Sequence, residues 1–257
     1  MTTGSMTVEA ARRAGADPEG NGSIDSRTYR LLGAAFLLQA IASAVSGLLL
    51  APVDLLAPSA PDDMGAAMAD LAANEWQLRA SIVGEMVTVG GIVALGGLMF
   101  VVLRRHGRNV AMLAFGLYVV EAAILAMREV FVFALWWTSQ EASAAAGTVD
   151  ALLPQATMLY ELQGFAYTLH TLAFATGATI FYILFARARI LPRALVALGL
   201  IAAPAAAVGT VLMMFGVEVP LYVFIPNLPF ELAAGLWLAV FARGARQRHI
   251  NPAIEGT

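Results

Sequence analysis

The chain has no cysteine, which excludes disulfides, thiolate metal sites and thiol nucleophiles. It has no lysine either, so all 15 basic residues are arginine. That excludes a retinal Schiff base and any other chemistry that needs a lysine amine. Charge of both signs is scarce: 13% of the 257 residues are charged and 60% are hydrophobic. Soluble domains carry about 25% charged residues. With a mean hydropathy of +0.75, one soluble core of this length could not hide the apolar surface. Lipid is the natural solvent for such a chain. There is no Walker loop and no glycine-rich dinucleotide fingerprint. Only His170 of the three histidines falls inside an apolar run, so no histidine pair is available to hold a buried haem. No cofactor and no metal are expected.

Against these absences stand six long apolar runs, at Tyr29–Val53, Gln77–Leu103, Asn109–Trp137, Met158–Phe185, Ala194–Phe215 and Leu221–Phe241. A helix needs about 20 residues to cross the hydrocarbon, and lipid leaves a helix as the simplest way to satisfy the backbone. The expectation is an all-α polytopic membrane helical bundle with six transmembrane helices. Residues 1–28 read as a disordered tail, 29–245 as the transmembrane domain and 246–257 as a second tail. No short apolar run with a small-residue cleavage site precedes the first span, so no signal peptide is expected.

The arginines orient the bundle. Arg12, Arg13, Arg27 and Arg30 precede the first span. Arg104, Arg105 and Arg108 join the second to the third, and Arg187, Arg189 and Arg193 the fourth to the fifth. Arg243, Arg246 and Arg248 follow the sixth. Six spans put all of these on one side, opposite loops that hold Asp54, Asp62, Asp63, Asp70, Glu75, Glu141, Asp150 and Glu218. The positive-inside rule then places both termini in the cytoplasm, and the arginines are topology signals rather than a nucleic-acid surface. A bacterial cytoplasmic (inner) membrane is the expected location. Between the first two spans, Met64, Met68 and Leu71 have helical spacing, which predicts a short helix lying on the outer surface. Glu141–Thr157 reads as a flexible outer loop.

Several segments together resemble one family. They are TYRLLGAAFLLQAIASAVSGLLL in the first span, YVVEAAILAMREVF around Glu121, and LHTLAFATGATIFYILFARARILPRALVALGLIAAP with His170 and Pro192–Arg193. LPFELAAGLWLAVF with Glu231 completes the set. In order and spacing they resemble DUF4386, a bacterial multi-pass membrane family of unknown function. The resemblance implies an architecture and no reaction. Pro229–Phe230–Glu231 is also similar to the Pro-x-Glu element of membrane lycopene cyclases.

Ionisable residues within the spans carry the functional reading, because charge in hydrocarbon is costly and usually faces the bundle interior. They are Arg79, Glu85, Glu121, Arg128, Glu129, Glu161, His170 and Glu231. Most fall in the outer half of the expected membrane. Glu121 and Arg128 are seven residues apart, within about 20° of one face. Tyr160, Gln163, Tyr167 and His170 make a polar stripe at i, i+3, i+7 and i+10 on the fourth span. Ser81, Glu85 and Thr88 make a shorter one on the second. Five carboxyls face only two arginines, so some must be protonated, paired with a cationic His170, or neutralised by a bound cation. The expected result is an outward-opening pocket. Glu121, Glu231 and His170 would be its proton-handling, catalytic groups. Arg128, Glu129, Glu85, Tyr160, Gln163, Tyr167 and Glu161 would bind a small amphipathic or lipid-like ligand. A proton- or cation-coupled transporter would use the same carboxyls. The plainer alternative is a structural membrane protein whose ion pairs, Arg128 with Glu121 or Glu129 and Arg79 with Glu85, lock helices together. In the sixth span, Pro226 and Pro229 flank Asn227, which predicts a helix that breaks or starts late. Glu231 would then sit near its positive dipole end.

Overall fold

A computed structural model describes residues 25–50, 61–144 and 149–241. Among them are seven α-helices: α1 Ser26–Leu50, α2 Met64–Ala73, α3 Glu75–Leu103, α4 Arg108–Ala144, α5 Val149–Ala188, α6 Arg193–Met214 and α7 Asn227–Phe241. One-turn 3₁₀ segments occupy Arg104–His106 and Leu221–Val223. Six stretches are long and apolar enough to cross a membrane: α1, α3, α4, α5, α6, and Leu221–Val240, which ends in α7. The expected tails lie outside the described residues, except for 25–28, of which 26–28 are already helical. Antiparallel succession collects Arg104, Arg105, Arg108, Arg187, Arg189 and Arg193 at one end of the bundle. The other end holds Asp62, Asp63, Asp70, Glu75, Glu141 and Asp150.

α1 packs between α3 and α7, α4 between α3 and α5, and α6 against α5. The α1–α7 approach is backbone to backbone. A Cβ on Gly33 would stand 2.5 Å from the Ala239 nitrogen and 2.6 Å from the Gly235 oxygen. Small residues allow such approach where packing, rather than exclusion of water, drives association.

Two local readings change and a third holds. Glu141–Thr157 is mostly helix: α4 continues to Ala144 and α5 starts at Val149, with Pro154 near its beginning. The stretch is rich in alanine, a strong helix former, and Ala142 and Ala156 are buried. α2 does form, with Asp63 accepting from the Ala66 amide at 2.9 Å as its cap. It does not spread its apolar face on the surface, however. Met64, Met68 and Leu71 are 6%, 1% and 1% exposed and pack with Leu78, Val132, Leu135, Trp136 and Tyr160. The last span starts late as expected, with α7 helical only from Asn227. The Asn227 amide donates to the Phe224 carbonyl at 3.2 Å, tying the turn together.

Two apolar clusters result. One surrounds Leu95, Met99, Tyr118, Phe181 and Phe185 toward the arginine-rich end. The other, roofed by α2, closes the acidic end. A buried polar layer lies between them: Ser81, Glu85, Thr88, Glu121, Arg128, Glu129 and Gln163.

Candidate functional site

The polar layer is built on α3, α4 and α5, of which α4 and α5 are the most extensively packed pair. On α4 the buried positions Tyr118, Glu121, Leu125, Arg128, Val132 and Leu135 advance by three or four residues, so Glu121 and Arg128 do share the inward face. Arg128 is 2% exposed. Its Nη1 donates to Glu129 Oε1 at 2.8 Å and its Nε to Gln163 Oε1 on α5 at 3.1 Å. Its guanidinium stands 5.3 Å from the centre of the Tyr167 ring. Glu85 of α3 is 6% exposed and lies within electrostatic reach of both Arg128 and Glu129. Three helices thus meet around one guanidinium.

A second group lies nearer the middle of the bundle. Glu121 of α4 and Glu231 of α7 are within electrostatic reach of one another. Tyr118 of α4 and Tyr182 of α5 reach both carboxyls. Glu231 Oε2 accepts from Gln39 Nε2 of α1 at 2.8 Å. His170 turns toward the main chain of Glu121 and lies within reach of Arg128, so it stands between the two groups. Tyr118 is wedged between glycines: a Cβ on Gly96 or Gly177 would come within 2.9 Å or 3.0 Å of it.

Three of the sequence candidates stand apart. Glu161 is exposed, about 160° round α5 from Gln163 at 100° per residue. Tyr160 is 2% exposed and packs in the apolar cluster at the acidic end. Arg79, half-exposed, pairs with Glu75 at 2.7 Å and lies 4.7 Å over the Trp136 ring; its partner is not Glu85. Removing Glu161 and Arg79 from the count leaves four buried carboxyls, Glu85, Glu121, Glu129 and Glu231, against Arg128 alone. The acidic surplus of three is the same as in the sequence. Gln39, Tyr118 and Tyr182 escaped the sequence reading. Tyr118 lies one turn from Glu121 on the same stripe, and Gln39 is a lone amide in an apolar span, so both left a signal.

Hydrogen bonding in this layer is incomplete. Buried atoms without a partner among the described residues include Glu85 Oε2, Tyr118 OH, Glu121 Oε2, Arg128 Nη2, Glu129 Oε2, His170 Nδ1 and Tyr182 OH. Buried polar atoms nearly always have partners, and each exception calls for a cause. Tyr167 is the exception to this enclosure. It lies about 160° round α5 from the outward Phe165, on the inward stripe with Gln163 and His170, yet it is 40% exposed. Tyr167 is thus the exposed member of the inward stripe, with the Arg128 guanidinium over its ring. Glu121, at 3%, and Glu231, at 8%, are far more enclosed.

A family model, a domain of unknown function named DUF4386, matches residues 31–242. No curated protein and no solved structure matches the chain.

Proposed function

The chain belongs to the DUF4386 family, and from that premise we propose that it is a membrane protein that binds a small amphipathic molecule within the bundle. Arg128, Glu129, Glu85 and Gln163 take the polar head of the ligand, and Tyr167 lines its way in. The observation that supports this reading is the exposure of Tyr167 on an inward-facing stripe, beside a buried guanidinium with a free Nη2. Entry is lateral, because the α2-roofed apolar cluster covers the acidic end. A lipid or isoprenoid-like tail suits an entry among apolar side chains. Any acid–base conversion of the bound molecule, such as isomerisation or cyclisation, falls to Glu121, Glu231 and His170, the groups able to exchange protons behind it. Positive-inside placement puts both termini in the cytoplasm of a bacterial inner membrane.

Native mass spectrometry of the detergent-purified protein tests this. The expected result is a discrete lipid-range adduct on the wild type, weakened in Tyr167→Ala and lost in Arg128→Gln. An adduct-free wild type that also acquires none from added bacterial lipid extract overturns it. Proton- or cation-coupled transport is favoured by a different observation, the enclosed carboxyl pair taken up next.

A further inference from the structure

We infer that Glu121, Glu231, Tyr118, Tyr182 and Gln39 form a second site, separate from the Arg128 group, that holds one monovalent positive charge in the middle of the bundle. Four helices contribute: α1, α4, α5 and α7. Each member of the Glu121, Glu231, Tyr118 and Tyr182 set is within electrostatic reach of the other three. All four are 8% exposed or less. Glu121 Oε2, Tyr118 OH and Tyr182 OH have no hydrogen-bond partner among the described residues, so three oxygen atoms from two helices remain unsatisfied in one buried place. Gln39 donates to Glu231 through its amide nitrogen, which adds a neutral partner from α1 to the set.

The chemistry of the set selects the occupant. Its donors are oxygens, which suit hard cations rather than soft ones. Two carboxyls are too few for the carboxylate-rich cage of a divalent ion, and no group of three or more His, Asp or Glu able to hold a metal exists among the described residues. No arginine among the described residues neutralises the pair directly. Arg128 is seven residues along α4, about 10 Å at 1.5 Å per residue, and is already held by Glu129 and Gln163. The other ionisable group that reaches Glu121 is His170 on α5, through the Glu121 main chain, whereas Glu85 and Glu129 lie with Arg128 further along the bundle. Two ionised carboxylates within electrostatic reach of one another in a low dielectric repel, and a single positive charge relieves that repulsion. A sodium ion and a proton shared by the two carboxyls both meet this requirement.

The experiment titrates purified full-length protein in detergent with NaCl against choline chloride at fixed ionic strength, and separately with acid in choline chloride. Thermal unfolding and ²²Na⁺ binding are the readouts. A saturable sodium-specific rise in Tm with bound ²²Na⁺ identifies sodium. A rise on acidification without bound sodium identifies the proton. Either response should disappear in Glu121→Gln and Glu231→Gln, and the sodium response should weaken several-fold in the nearly isosteric Tyr118→Phe. Tyr167→Ala, which alters the Arg128 group, should keep it. If neither sodium nor acid moves the wild type, or if the response survives unchanged in Tyr118→Phe and both Gln variants, the site does not exist. Because the readout is a cation and not a lipid, failure here is distinct from failure of the amphipath reading.

Discussion

Arg128 shows how much a single side chain can hold in a low dielectric. Its pair with Glu129 is buried at both ends, with side-chain exposures of 2% and 3%. Taking away one member of a buried pair leaves the other charge unmatched, typically at a cost of about 3–5 kcal/mol. Arg128→Gln should therefore destabilise the protein by about that much, and adding Glu129→Gln to it should restore a large part. Thermal unfolding in detergent for the two single variants and the double variant measures the coupling; simple additivity would mean the pair is not an energetic unit. Arg79 should behave differently despite a shorter 2.7 Å pair, because its partner Glu75 is about half-exposed and exposed pairs contribute about 0–1 kcal/mol. At this scale the sequence was informative about residue type and spacing. The seven-residue interval from Glu121 to Arg128 revealed their common face, and the Tyr160-to-His170 stripe revealed that of α5. Partner choice was not legible. Arg79 is six residues from Glu85 and four from Glu75, and α3 leaves the buried layer before Arg79 is reached.

Among the elements, the α1–α7 contact is where the chain tolerates least. Gly33 and Gly235 meet through main-chain atoms, which cannot swing aside as a side-chain tip would. Gly33→Leu should separate these helices, pull Gln39 from Glu231, and lower stability by more than the 1–3 kcal/mol usual for overpacking. Gly47→Ala, where nothing lies within 4 Å, should be nearly silent. Paired melting curves of the two variants check the contrast. α7 itself was partly legible, since Pro226 and Pro229 announced a late start. α2 was legible as a helix but not as a roof. Its Met64, Met68 and Leu71 stripe is equally suited to a lipid surface and to the extended ends of α4 and α5. Those extensions were themselves hidden, because the sequence between Glu141 and Thr157 mixes polar residues with alanine.

For the molecule as a whole, the succession of spans separates an arginine-rich end from an acidic one, and this predicts the orientation. The absence of native cysteine makes the test clean. A cysteine placed at Asp62 should react with a membrane-impermeant maleimide in intact cells, while one at His106 should react only after the membrane is opened. The reverse pattern would invert the topology and put Tyr167 and Arg128 in the inner half of the membrane.

Composition and run length were enough to determine that this chain spans a bilayer six times, because hydrocarbon penalises exposed backbone and unpaired charge wherever they occur along the sequence. They also determined that α3, α4, α5 and α7 carry polar groups requiring shelter. Tertiary packing alone decided how those groups are divided: Arg128 with Glu129, Gln163 and Glu85 beside the exposed Tyr167, and Glu121 with Glu231, Tyr118, Tyr182 and Gln39 enclosed nearer the middle of the bundle. The physical reason is that spacing along one helix fixes a face, whereas which faces meet, and at what height, depends on close approaches such as Gly33 to Gly235 that no single helix encodes.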